Sequence, residues 1–154
     1  MEVLDRTWRI ALLALTLWRE ARSESHEARV AVAQSVMNRV MRPGWWGHTI
    51  DEVLTKKWQY SSLTDPADKQ LRFWPLASDA LFLDCLEIAQ GAMDATLPDL
   101  MPGADSYHDT SIAPPYWTAK ARRCGQIDRL VFYDVDHDFE AEVIAAKEPP
   151  PCGP

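Results

Sequence analysis

A chain of 154 residues is long enough to enclose a real core without disulfide or metal staples, and short enough that one compact domain is expected. Its 23 acidic residues outnumber 16 basic ones, for a net charge of -7 and a pI near 5.0, which argues against a nucleic-acid binder and leaves no basic patch for an anionic membrane surface. Cys85, Cys124 and Cys152 form an odd set without metal-like spacing and read as free thiols of a chain made in a reducing compartment.

The first helix is expected over about residues 5 to 22. Its apolar run, Ile10 to Trp18, is too short to span a bilayer; with Asp5, Arg6 and Arg9 before it and charged residues after, it is no secretion signal either. Counting back from Glu20 at helical spacing, the same face carries Leu17, Thr16 and Leu13, a largely apolar stripe. A carboxyl on such a stripe loses hydration when the helix packs, which raises its pKa as a general acid requires. The ordinary alternative is a frayed helix-end acid paired with Arg19 or Arg22. Ser25 is a good N-cap for a second helix, with Glu27 in its first turn. Val32, Val36 and Val40 at four-residue intervals, beside Ala33 and Met37, mark it as the central core helix. Gln34 and Asn38 interrupt that pattern and need hydrogen-bond partners if buried.

Arg42-Pro43-Gly44 ends this helix, and Trp45 and Trp46 follow in a loop, either as a sugar-stacking surface or as anchors to the core. Thr49 to Glu52 reads as a capping box for a short helix towards Lys57. A polar and aromatic turn, Lys57 to Ser62, comes next, and Asp65-Pro66 predicts a helix over 66–72 that Pro75 interrupts. Ser78 is expected to cap a longer helix to about Ala95, with Leu81, Cys85, Ile88 and Ala92 buried and Asp84, Glu87 and Asp94 solvated. Residues 97–115 form a loop long enough to be functional or mobile, with a short strand over Asp105 to Asp109. A helical turn over 116–122, a strong strand over Arg129 to Val135 and a terminal helix over 138–147 complete the pattern. One domain over 1–148 and a proline-rich tail over 149–154 are expected.

Six ordered pieces of this chain resemble the SleB-like cell-wall hydrolases, a family that includes spore-cortex-lytic enzymes and is similar to lysozyme-like lytic transglycosylases. They are Glu20-Ala21-Arg22-x-Glu24, the Val-Ala-x-x-Val-Met-Asn-Arg-Val run that follows, Gln59-Tyr60-Ser61, Gly103-Ala104-x-x-Tyr107, Pro115-x-Trp117 and Val131-Phe132-Tyr133, together covering about residues 15 to 134. The resemblance implies an α+β, mostly helical, lysozyme-like single domain with a small antiparallel β-sheet beside the cleft, and it makes Glu20 the catalytic acid. The chain departs from the family's usual residues at Arg19 and Ser23, where glycine is usual. It departs again at Tyr60, Ser62 and Leu63, which replace Phe, Cys and Trp, and at Arg129-Leu130 in place of Gly-His.

The implied substrate is the peptidoglycan glycan strand, cleaved between N-acetylmuramic acid and N-acetylglucosamine. A lytic transglycosylase needs one carboxyl group, since the muramic acid's own 6-hydroxyl attacks intramolecularly. Gln59 and Ser61 are candidates to hold the acetamido groups or Glu20, Tyr107 to hold Glu20 or the sugar, and Tyr60 or Trp117 to stack on a sugar face. Glu24, Asn38 and Tyr133 are secondary candidates, Glu24 being an orienting or structural residue, and Asp105 and Asp109 are weaker choices for a second carboxylate. His108 lacks partners for a metal site, and Asp134-x-Asp136-x-Asp138 fails as a calcium loop because Phe139 and Ala145 stand where glycine and glutamate are required. No metal and no cofactor are expected, nor stable membrane insertion, and the chain reads as a monomer. A hydrolytic muramidase and a non-catalytic wall-binding module are the alternatives. The expected setting is a phage endolysin, made in the host cytoplasm without a signal peptide and acting on the wall after release.

Overall fold

The computed structural model describes residues 3–42 and 46–136. Helix α1 spans Val3–Ala21 and α2 His26–Met41, followed by the short α3 (Ile50–Thr55) and α4 (Ser61–Thr64) and the longer α5 (Ala80–Met93). Strands β1 (Ser106–Asp109), β2 (Arg122–Ile127) and β3 (Leu130–Asp134) form one antiparallel sheet in the order β1-β3-β2. Single 3-10 turns occupy Lys69–Arg72 and Tyr116–Ala119. The α+β, mostly helical architecture expected from the sequence is the one observed.

Helix α2 is the centre. Ser25 accepts from the Ala28 amide, as its type predicts. Val32, Ala33 and Val36 are fully buried, while Ala28, Val30 and Ala31 let neighbouring helices approach closely. Helix α1 sends Leu13, Ala14, Leu17 and Ala21 into this core, spaced so that one stripe faces inward over three turns. From α5 come Cys85, Ile88, Ala89 and Ala92, so the predicted stripe is buried apart from Leu81, which only partly enters the core. Phe132 of β3 is fully buried and seals the sheet onto the helices.

Several local expectations are corrected. The cap of α5 is Asp79, not Ser78: its carboxylate accepts from the Leu81 and Phe82 amides, and a carboxylate is the stronger acceptor. The helix expected over 66–72 is reduced to the 3-10 turn over Lys69–Arg72, capped by Asp68, while Asp65 closes a local turn onto the Ala67 amide. The helical turn expected over 116–122 is present but shorter, a 3-10 turn over Tyr116–Ala119, because the chain enters β2 at Arg122. The box at Thr49 is shifted, with Glu52 reaching back to the amide of His48 instead of Thr49. Asp84 is not simply solvated: it bridges α5 to α2 by accepting from Arg29 (3.0 and 3.2 Å) and His26 (2.8 Å). Asp94 likewise pairs with Arg6. The expected helix over 138–147, the proline-rich tail, Trp45 and Cys152 lie outside the described residues.

Asn38 and Gln34 are bonded to each other, and Asn38 donates to the Ala104 carbonyl at 2.7 Å. This ties the core helix to the loop entering β1. Asn38 therefore positions the sheet wall and does not reach the cleft.

Candidate active site

Glu20 sits in the last turn of α1, where the helix runs out beneath a cleft of about 560 Å³ between the helices and the sheet. Gln59, Tyr60, Ser61, Tyr107 and Trp117, the five residues named from sequence as substrate-binding candidates, line that cleft together with Glu20. Arg39, Trp46, Trp58, Ser106, Tyr116 and Val135 complete its walls.

The acid is held by a neighbour of the expected residue. Ser62, not Ser61, donates its hydroxyl to a Glu20 carboxylate oxygen at 2.8 Å, while Ser61 turns to Asp68 at 2.6 Å. Burial raises the Glu20 carboxyl above the ordinary carboxylate range, against the Ser62 hydrogen bond, and the like charge of Asp68 adds to the rise. Neither arginine neutralises it. Arg19 donates to the carbonyls of Ser62 (3.0 Å) and Phe73 (3.1 Å) and lies under the Trp74 ring, so it braces the residue that holds the acid. Arg22 donates to Gln70 and lies over Trp18. Among the described residues Glu20 makes no salt bridge, so the paired, frayed-end alternative does not occur.

Asp68→Asn keeps one acceptor oxygen for the Gln70 amide, turns an amide NH2 towards the Ser61 hydroxyl, which can accept from it, and removes the like charge. It should lower the Glu20 carboxyl and move the alkaline limb of the pH–activity profile to lower pH. An unmoved limb would show that Asp68 exerts no electrostatic control over Glu20.

Tyr60 and Tyr107 flank the acid. Burial raises both phenols above their ordinary value, and Glu20 adds to the effect, so both stay neutral hydrogen-bonding groups. The Tyr60 hydroxyl is buried and has no hydrogen-bond partner among the described residues. Its backbone carries φ +29°, and Trp58 two residues earlier has φ +70°. Such conformations in non-glycine residues cost about 1–3 kcal/mol each and cluster at functional sites.

Arg39 is the site residue that sequence reasoning missed. It is buried on α2 and donates to the Asp105 carbonyl (2.5 Å) and the Gln59 amide oxygen (3.1 Å), between the rings of Trp46 (3.9 Å) and Tyr60 (5.1 Å). It thereby fixes both cleft walls to the core helix. The signal available was an arginine one turn from Ser35 and Val36 in an otherwise apolar helix, which a periodicity count absorbs as a flank. The loop reading of Trp46 as a core anchor holds, since its ring is 4 % exposed, yet the ring also faces the cleft.

The secondary candidates fall elsewhere. Glu24 is clamped by Arg129 at 2.8 and 3.0 Å and joins the α1–α2 corner to the β2–β3 turn, a structural role. Tyr133 stacks on His108 and accepts or donates at its Nε2 (3.3 Å), and both back the Trp117 ring that lines the cleft, edge-on to Tyr133 at 5.4 Å. Asp105 is fully buried and faces Arg42, Ser106 and the amides of Val135 and Asp136, which removes it as a second catalytic carboxylate. Asp109 closes a turn onto the Ser111 amide. No His, Cys, Asp or Glu cluster suited to a metal occurs among the described residues, and no described helix is long and apolar enough to cross a membrane.

A family model described as cell wall hydrolase matches residues 23–133, beginning three residues after Glu20. The fold is similar to the catalytic domain of the germination-specific lytic transglycosylase SleB from Bacillus anthracis, with a TM-score of 0.64 and 21% identity over 81% of this chain and 93% of that one. It is similar in the same degree to the catalytic domain of Bacillus cereus SleB, with a TM-score of 0.64 and 22% identity over 81% of this chain and 88% of that one. At these identities the likeness establishes the fold, which is lysozyme-like. No curated protein matches the chain.

Proposed function

The chain belongs to the cell wall hydrolase family, and from that membership we propose that it cleaves peptidoglycan between N-acetylmuramic acid and N-acetylglucosamine as a lytic transglycosylase, with Glu20 as its acid. One observation carries this reading: Glu20 is the only carboxylic acid among the described residues lining the cleft, and its surroundings favour the protonated form. Glycosidases that hydrolyse by the usual routes place a second carboxylate across the scissile bond, either to activate water or to attack the sugar. Here Glu24, Asp105 and Asp109 are engaged elsewhere.

A single acid suffices when the nucleophile is tethered. Glu20 donates its proton to the glycosidic oxygen as the bond from that oxygen to the muramic C1 breaks, leaving an oxocarbenium-like centre and a free N-acetylglucosamine hydroxyl. The 6-hydroxyl of the same muramic residue bonds to C1, and its proton passes to the Glu20 carboxylate, which closes the 1,6-anhydro ring and restores the acid. The tethered attack draws on orientation instead of a second protein group. The description of the Bacillus anthracis relative as a lytic transglycosylase supports the same outcome.

Mass spectrometry of digested, purified sacculi tests the assignment. Anhydro-muramic ends should dominate. Reducing ends alone would make the enzyme a hydrolytic muramidase, and binding without loss of turbidity would leave a wall-binding module.

A further inference from the structure

Trp58 and Tyr116 line the same cleft as Glu20, yet they stand 86 % and 93 % exposed. Rings of this size ordinarily lose most of their surface to the core. Trp58 is held outward by its own backbone at φ +70°, a region that residues with a Cβ adopt only where the surroundings impose it. Two residues on, Tyr60 is turned inward, with its hydroxyl buried, so alternate residues of one strained turn send one ring to solvent and the next beneath the cleft floor. Arg39 grips Gln59 between them, which ties the turn to the core helix, and the Lys57 ammonium lies 5.0 Å from the centre of the indole.

Tyr116 is presented from the sheet side. It opens the 3-10 turn Tyr116–Ala119, which is closed by the Thr118 hydroxyl on the Pro115 carbonyl at 2.7 Å. Its neighbour Trp117 is locked edge-on against Tyr133 and His108. The turn is thus anchored by one ring and projects the other. Other exposed tryptophans lack this combination: neither Trp8 on α1 nor Trp74, which has Arg19 against its ring, lines the cleft.

Pyranose rings present apolar C–H faces that stack on flat aromatic surfaces, and a glycan strand repeats such faces along its length. We infer that Trp58 and Tyr116 are stacking platforms for sugar rings of the glycan strand, one on the helical wall and one on the sheet wall. This rests on the glycan substrate proposed above. Neither residue is among those quoted for the resemblance to the family; Trp58 directly precedes Gln59, and Tyr116 stands between Pro115 and Trp117.

Binding is measured apart from catalysis, in Glu20→Gln protein titrated calorimetrically with long, soluble glycan strands stripped of their peptides. Trp58→Gly and Tyr116→Ala should each weaken affinity about tenfold. Trp58→Gly should keep or raise the thermal midpoint, because glycine accepts the left-handed backbone without strain. Trp8→Ala should bind as before. Unchanged affinity in both rim variants, an equal loss in Trp8→Ala, or a lowered midpoint in Trp58→Gly would each overturn the inference. Lysis of sacculi by the unaltered protein reads the proposed reaction separately. Ring-dependent binding without lysis would remove the reaction and keep the platforms, and lysis with ring-independent binding would do the reverse.

Discussion

Glu20→Gln should fold and bind glycan strands but lose at least about a hundredfold of its activity on purified sacculi, the usual scale for removing a general acid. Glutamine preserves the shape and the acceptor oxygen that the Ser62 hydroxyl uses at 2.8 Å, and deletes only the transferable proton. The same variant should be more stable than the native protein near neutral pH. Burial raises the folded-state pKa of Glu20 above its unfolded value, so the native state holds the proton more tightly than the unfolded chain does. Below the ordinary carboxylate range both states are protonated and the two proteins should be equally stable. As pH rises through the unfolded pKa, the unfolded chain releases its proton first, and the native glutamate becomes a liability that glutamine does not share. The gap should therefore open with rising pH and level off above the folded pKa. Thermal melts at several pH values, run beside turbidity assays, check both halves. Near-native lysis by the variant would take Glu20 out of the chemistry, and a stability gap unchanged down to acid pH would show that the carboxyl is not desolvated.

Such behaviour was largely legible for the acid and much less so for the groups around it. The stripe of Leu13, Thr16 and Leu17 specifies which face of α1 is buried, and Glu20 follows from its spacing. Ser25 marks the start of α2, and the β-branched and aromatic run at Leu130 to Asp134 marks β3, because each signal is local. Strand β2 escaped notice since Arg122-Arg123-Cys124-Gly125-Gln126-Ile127 is a largely exposed edge with a register irregularity between Arg123 and Gly125, so no apolar alternation survives. The exchange of Ser61 for Ser62 has a similar origin. Positive φ values at Trp58 and Tyr60 reverse the usual order of side chains through the turn, and non-glycine residues announce no such conformation. Arg39 and Asp105 were misread because their partners are distant in sequence; only the tertiary fold reveals that one grips the cleft and the other is spent on the sheet.

Asp105→Ala should cost about 3–5 kcal/mol of folding stability, the range for removing one partner of a buried ionic network. The Asp105 carboxylate is fully buried and accepts from Arg42 (2.9 Å), the Ser106 hydroxyl (2.9 Å) and the amides of Val135 (3.0 Å) and Asp136 (3.1 Å). Arg42, at the C-terminus of α2, also reaches Asp134 (3.1 Å) and the Gly103 carbonyl (2.8 Å), while Arg122 of β2 closes on the other oxygen of Asp134 (2.7 Å). Gly103 meets the tightness of this cluster with φ +80°, and a Cβ there would lie 2.8 Å from the Arg122 guanidinium. One carboxylate thus joins the end of the core helix to the start of β1 and the end of β3. Alanine would leave the Ser106 hydroxyl and the Val135 and Asp136 amides without this acceptor and would take one carboxylate away from Arg42, an effect larger than the lost contact alone. Because Arg39 holds the Asp105 carbonyl while shaping the cleft, loosening this joint should also lower lysis at temperatures where the variant is still folded. Urea unfolding gives the stability change, and lysis rates well below the midpoint give the second effect. A loss under about 1 kcal/mol would mean that water replaces the carboxylate and that the helix and sheet are held together by the Phe132 side of the core instead.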